Sequence, residues 1–442
     1  MPKNKNTKKR GGGKAQGQDG ATLPVPRQKN DEDDDESLDH WSTQSVLSDN
    51  SSWPGSDLAA AGEESSEDTS QQEMFEEKFS ENMDGTLEKS AKTRLTALQG
   101  IQKALQKKYV ADYLFDRKET LTDHLVKCLR KGKWDEQELA ASCLSLVAVQ
   151  LGSDASSVFD TVQPILTSLM MDNSTHYKAR GACATTLATS CFLSSDDLEK
   201  AKFLTNALED IFRMGYGKGE NSPTVPSELS WLICQALSAW CLLLTISPSY
   251  EVQTHINNHL RSLQDLLRNS DVDLRIMAGE AIALLYELAR DLDGDFEHED
   301  EASLCELLKQ LATDSVKHRA KKDRRQQRSC FRDVQRYVVD LESPCESVKL
   351  GKENLLELNS WTQKRQYDCF CHVLMTGTSV HMKVNPILRE MFDLGAPGLD
   401  DYSHTKSLSK AQRTFINAAA FKARTKARAK HRDKRAVTVN AF

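Results

Sequence analysis

No apolar run in this chain of 442 residues approaches the roughly 18 needed to cross a bilayer, and no secretory signal opens it. A membrane partner is therefore not expected. A disulfide framework is missing too: the 11 cysteines are scattered in apolar surroundings (Cys143, Cys183, Cys191, Cys234, Cys241) without regular spacing. That is the pattern of reduced core residues in a cytoplasmic or nuclear protein. The close pair Cys369 and Cys371, followed by His372, lacks a second ligand pair at zinc spacing, so no metal site is expected there. His255 and His259 lie one helical turn apart, but Ile256 stands where a zinc protease carries its glutamate; both read as ordinary helix-surface residues. Gly215, Gly217 and Gly219 follow no strand and precede no Gly-Lys-Ser/Thr, which argues against a phosphate-binding loop. No nucleophile–base pairing and no paired carboxylates stand in a recognisable motif. An enzyme, a cofactor and a small-molecule substrate are not expected.

Net positive charge is concentrated in two segments. The chain carries a net charge of −7. Lys317 to Arg336 holds nine Lys/Arg against Asp323 and Asp333, or +7, and Lys422 to Arg435 holds eight against Asp433, again +7, which leaves −21 on everything else. A polyanion is attracted at these two places and repelled by most of the rest, which favours one binding orientation over loose coating.

In the second segment Lys422, Arg424, Lys426, Arg428, Lys430, Arg432 and Lys434 recur at every second position, with Arg435 behind them. Alternation suits a strand, but Ala, Lys and Arg are good helix formers and Ala is depleted in strands, so a helix is predicted. At about 100° per residue this spacing wraps charge around the whole cylinder and suits a narrow site walled by phosphate on several sides. Five like-charge pairs four residues apart each oppose the helix by roughly 0.2 to 0.5 kcal/mol, so ordering is expected against a polyanion. Ser409 and Gln412 have capping-box spacing, and Leu408, Ala411, Phe415, Ile416 and Ala419 recur at helical spacing, giving the first turns a side that can dock. A solvated basic tail or a nuclear import signal is the alternative, and needs neither device. In the first segment Phe331, Val334 and Val338 give the second half an apolar side. Lys317, Arg319, Lys321, Lys322, Arg324, Arg325 and Arg328 are expected to display charge toward phosphate, with a solvated helix face as the alternative.

Residues 1–72 contain a basic start, the acidic run Asp31 to Glu36 and few large apolar residues, so this tail is expected to be disordered. Beyond it, Arg94, Glu138 and Arg180 each head a run at helical spacing, 44 and 42 residues apart, and Arg275 follows 95 residues later with room for two repeats. The skipped unit is assigned to the apolar stretch Leu229 to Ile246. A period in the forties predicts an all-α, HEAT/armadillo-like α-solenoid over residues 73–315, in which stacked units supply one another's core. Gly215 to Ser227 is a long loop within the array, and Asp291 to Glu301 an acidic, solvated one. Residues 316–394 hold the basic patch and a small C-terminal region. There a short β-hairpin, Ser347 to Leu350 against Asn354 to Leu358, precedes helices from Ser360 to Met375 and from Pro386 to Leu394, the latter capped by Asn385. Residues 395–408 read as a linker and 409–436 as the terminal basic helix.

Several stretches carry a resemblance: KSAKTR (89–94), RKETLTDHLVKCLRKGK (117–133), LLLTISP (242–248), LRIMAGEAIALLYELARDL (274–292), LATDSVKHRAKKDRRQQRSCFRDV (311–334) and AAFKARTKARAKHRDKRA (419–436). From about residue 73 to its end the chain resembles the interferon-related developmental regulator family; the N-terminal tail and the linker do not obviously match. The resemblance implies an α-solenoid with a small C-terminal region. It further implies a ribosome-binding protein that occupies the tRNA sites of idle ribosomes while a C-terminal helix fills the mRNA channel and blocks translation. It also implies transcriptional co-regulation with nuclear partners. The basic helix of the family falls on Lys422 to Arg435 and is complete. The expected partners are thus ribosomal RNA and ribosomal proteins, with nuclear co-repressor proteins as the alternative. The expected localisation is cytoplasmic and, for the alternative, nuclear.

Overall fold

The structure is a computed structural model that describes residues 67–216, 225–314, 320–350 and 354–395. The tail before residue 67, residues 217–224 of the long loop, the linker beyond Gly395 and the terminal basic helix lie outside the described residues.

Six helix pairs follow one another. They are α1 (Glu67–Gly85) with α2 (Ala91–Lys107); after the short α3 (Ala111–Phe115), α4 (Lys118–Lys131) with α5 (Trp134–Leu151); α6 (Ser156–Met171) with α7 (Tyr177–Ser194); α8 (Leu198–Phe212) with α9 (Ser227–Leu244); α10 (Ser249–Leu266) with α11 (Val272–Leu292); and α12 (Glu301–Thr313) with α13 (Lys321–Asp340). The second helices pack side by side as a ladder, α2 on α5, α5 on α7, α7 on α9, α9 on α11 and α11 on α13, while α4, α6 and α8 form an outer row. This is the α-solenoid that the period predicts, and α9 is the unit that the anchor spacing skipped. Helix α1 begins at Glu67, inside the segment expected to be disordered, and buries Phe75, Phe79 and Met83. The ladder also runs past residue 315, because α13 docks on α11 through Phe331, Val334 and Val338, all buried.

The recurring arginines explain the period. Arg94 donates from Nη1 to the carbonyls of Glu88 and Lys89, both at 2.9 Å, and from Nε and Nη2 to the two oxygens of Glu136 on α5, at 2.9 and 2.8 Å. Arg180 Nε donates to the Met170 carbonyl at 2.8 Å, and Arg275 Nη1 to that of Asn269 at 2.7 Å. Each arginine thus satisfies a carbonyl at or just beyond the end of the preceding helix, where the intrahelical partner has run out. In the second pair the acid that matters is Glu136, buried against α2, and not the Glu138 picked out by spacing.

Inner helices have neighbours on both sides, so they are apolar nearly all round. By length and composition Trp134–Met171 and Ser227–Leu244 could cross a membrane, contrary to the reading that no run comes close, but the most apolar 18 residues of each are mostly buried inside the protein, 72% and 61%. They serve as core. The 11 cysteines are free thiols, and burial pushes Cys183 up to about 12 and Cys128 and Cys371 up to about 11, which keeps them protonated at neutral pH.

After α13 come β1 (Glu346–Leu350) and β2 (Asn354–Leu358), paired antiparallel with Val348 opposite Leu356. Then follow α14 (Trp361–Leu374), capped by Ser360; α15 (Thr378–Val384); and α16 (Pro386–Met391), capped by Asn385 with Pro386 in first position. These elements form a strap across the ladder. At its start the buried Glu287 of α11 accepts from the N–H groups of Trp361 at 2.6 Å and Thr362 at 2.9 Å, placing negative charge where the first turn of α14 has open donors. Gln366 Nε2 donates to Thr245 Oγ1 beyond α9 at 3.1 Å, and Phe370 meets Phe192 of α7 edge-on. Gln106 of α2 donates to the Val373 carbonyl at 3.3 Å, His381 Nε2 donates to that of Leu105 at 3.0 Å, and Asn385 Nδ2 donates to that of Val149 on α5 at 2.9 Å. Arg389 closes the end with bonds to the carbonyls of Lys383, Leu394 and Gly395.

His381 makes the strap sensitive to acid. A carbonyl can only accept, so Nε2 carries the proton and the buried Nδ1 has no partner. Burial lowers the pKa to about 4 from an ordinary 6.5. Between those values the unfolded chain takes up a proton that the folded one refuses, so stability is flat above pH 6.5 and falls as the pH drops toward 4. The full gap corresponds to about 3 kcal/mol. Amide exchange in α15 is expected to accelerate through that window, and a His381→Gln variant to lose most of the dependence. An α15 whose exchange ignores pH in the native protein would contradict this.

Candidate nucleic-acid interface

The described part of the first basic segment is α13. Its buried stripe, Gln327, Phe331, Val334 and Val338, recurs three and four residues apart and faces α11. Gln327 accepts from Arg275 Nη2 and donates to the Leu311 carbonyl at 3.3 Å and to Asp314 Oδ2 at 3.2 Å, so one amide ties α11, α12 and α13 together. Gly279 lets α11 come close: a Cβ there would stand 2.7 Å from the Phe331 ring.

Opposite this stripe Lys322, Arg325, Arg332 and Arg336 are all exposed. At about 100° per residue they fall within about 80° of one another, and at 1.5 Å rise they span about 21 Å. Arg324 and Arg328 sit half-buried on the flank, each with an enclosed Nε that has no hydrogen-bond partner. Arg336 shares a 3.4 Å ion pair with Asp333, an exposed pair of small energetic weight. Asp273, at the start of α11, lies near Asp271 and Asp323. Burial, and then the charges of Asp271 and Asp323, raises the Asp273 carboxyl, so the cationic face has an acidic border.

Of the predicted site residues, the structure therefore brings Lys322, Arg324, Arg325 and Arg328 onto one helix beside the ladder. Lys321 belongs to the first turn of that helix. Lys317 and Arg319 lie outside the described residues, as do Lys422, Arg424, Lys426, Arg428, Lys430, Arg432, Lys434 and Arg435. Arg332 and Arg336 were not singled out, although their spacing from Arg325 by seven and eleven residues marks the same face. Lys364 and Arg365 belong to no such surface. They are spoken for by Glu280, Asp368 and Glu346, at 3.0 to 3.8 Å. These contacts bind the start of the strap to α11 and β1.

The two histidines read as surface residues are in fact buried. His255 and His259 turn toward α8, where Glu209 Oε2 stands 3.7 Å from His255 Nδ1 and 3.1 Å from His259 Nε2. Helical spacing showed that they share a face of α10; nothing in it told which way that face looks.

Residues 40–339 match the family described as Interferon-related developmental regulator, and residues 385–436 match the Interferon-related protein conserved region. The chain is 42% identical over 409 residues to Interferon-related developmental regulator 1 of Homo sapiens, covering 91% of this chain and 89% of that protein. The chain belongs to the interferon-related developmental regulator family. Interferon-related developmental regulator 2 of Mus musculus is 43% identical over 380 residues, covering 85% of this chain and 86% of that one. The second matched region opens on Asn385, the residue that caps α16 and bonds α5, and ends just past the terminal basic segment. Among solved structures, a designed armadillo repeat protein covers 58% of this chain and 98% of its own at 14% identity and a TM-score of 0.37. Kap121p covers 77% of this chain and 41% of its own at 12% identity and a TM-score of 0.33. The solenoid assignment rests on the paired helices themselves.

Proposed function

We propose that this member of the family is a non-enzymatic, ribosome-binding inhibitor of translation. The ladder and the outward face of α13 seat the body on ribosomal RNA and protein, over the sites that tRNA uses. The terminal segment Lys422 to Arg435 enters the mRNA channel of an inactive ribosome. Inhibition is steric, since mRNA and a cationic rod cannot share that path. The observation that carries the reading is the density of net positive charge in two short segments, +7 each, of a chain whose remainder sums to −21, one of them displayed on α13.

The strap supports this reading by bringing residue 395 back to the first units of the ladder. It ends at Gly395 beside α5, in the second pair, whereas α13 belongs to the sixth. Four ladder steps of about 8 to 10 Å each separate the two. The last described residues and α13 thus lie at well-separated units of the ladder. The alternative is a nuclear co-regulator scaffold that works through solenoid contacts. It has less of the ladder available, because the strap covers the ends of α2, α5, α7 and α9.

Truncation before Ser409 separates the two. On the ribosome reading the truncated protein no longer represses translation in a cell-free extract, and repression returns when the segment is restored. A truncated protein that represses as well as the full chain would sink the reading, and altered nuclear entry with an unchanged extract would favour the scaffold.

A further inference from the structure

Away from the cationic face, α8 and α10 bring together three metal-ligating side chains. His255 and His259 stand one turn apart on α10, and Glu209 faces them from α8; the three ligating atoms all lie within 4.8 Å of one another. His255 and His259 are only 6% and 2% exposed, yet neither His255 Nδ1 nor His259 Nε2 has a hydrogen-bond partner. Glu209 Oε2 stands 3.7 Å from the first and 3.1 Å from the second. Lone pairs that converge in a buried pocket call for a cation between them. A proton on His259 answers for one nitrogen and leaves His255 stranded. A divalent ion answers for all three.

We infer that Glu209, His255 and His259 form a zinc site that fastens the fourth helix pair to the fifth. Zinc takes His nitrogen and carboxylate oxygen at about 2.0 to 2.2 Å in a tetrahedron, so adjacent ligand atoms stand about 3.3 to 3.5 Å apart. The observed 3.1 and 3.7 Å bracket that edge, and the two ring nitrogens lie within 4.8 Å of each other.

The surroundings are those of a held ligand set. Tyr216 Oη lies 3.0 Å from His259 Nδ1, fixing the ring from its far side, and Arg213 Nη1 holds the other oxygen of Glu209 at 3.1 Å. Trp240 packs edge-on against both imidazoles and Phe212 against that of His259, which keeps water out.

The test uses the full chain, stripped with a chelator and titrated with Zn²⁺ alone, then with Co²⁺ as an optical probe. One ion per chain is expected, with a rise of several degrees in Tm at a hundredfold excess over Kd. Bound Co²⁺ is expected to show the visible bands of a tetrahedral nitrogen and oxygen site without the near-ultraviolet band of a thiolate. His255→Gln and, as the variant of nearly unchanged shape, Glu209→Gln are each expected to weaken Zn²⁺ at least tenfold, with circular dichroism verifying that the helices remain. Three results would overturn the assignment: no Zn²⁺ bound by the native chain, a thiolate band in the Co²⁺ form, or an affinity that both folded variants retain.

Discussion

Alanine at Lys422, Lys426 and Lys430 together is expected to weaken ribosome association by roughly fifty- to a hundred-and-fifty-fold near physiological salt. Each phosphate contact contributes a slope of about −0.7 to −0.9 to log affinity against log salt, so three contacts are worth about two decades at about 0.15 M. The substitution also removes three of the five like-charge pairs, so intrinsic helicity improves, and a weakened complex cannot be blamed on a melted helix. The native protein, with about six to eight contacts, is expected to show a salt slope of roughly −4 to −7, and the variant a slope shallower by about 2 to 3. Sedimentation with ribosomes at stepped salt reads both quantities. An unchanged affinity would remove the terminal segment as the anchor.

The second large effect belongs to the strap. Gly377 sits where the turn between α14 and α15 meets α2, and a Cβ there would lie 1.8 Å from the backbone carbonyl oxygen of Gln106. Neither side of that contact is a flexible side-chain end, so the backbone must move. A Gly377→Ala change is expected to cost about 3 kcal/mol or more, near the upper end of overpacking penalties. The loss should be local, since the ladder keeps its own core. Amide exchange should rise in α14 to α16 and leave α7 and α9 protected, and protease should cut first after α13. Ribosome association should weaken with its salt slope intact, because no charge has changed and only the root of the rod has been loosened. Equal loss of protection in ladder and strap would show that the two do not separate.

Much of this fold was legible because repetition leaves a trace. Arg94, Arg180 and Arg275 recur since each satisfies carbonyls at the same corner of a pair. The apolar side of α13 was readable from Phe331, Val334 and Val338, and the cap Asn385 from local chemistry. What periodicity conveys is that a helix has a buried face, not what covers it. Helices α15 and α16, of seven and six residues, are too short to show a period at all. Their attachment runs through polar groups, His381, Asn385 and Arg389, which composition would place at the surface. The same blindness hid the inward turn of His255 and His259, whose partner Glu209 lies 46 and 50 residues earlier in the chain. The cationic stripe on α13 was legible as charge, but its extension to Arg332 and Arg336 needed the docked stripe as a reference.

A density map of the full chain bound to ribosomes lacking mRNA tests the central claim most directly. The account predicts a helix from about Ser409 to Ala436 with Lys422 to Arg435 enclosed by ribosomal RNA inside the mRNA channel, and the outward face of α13 against RNA phosphate. A body seated on the ribosome with that channel empty, or with Lys422 to Arg435 lying in solvent, would contradict it.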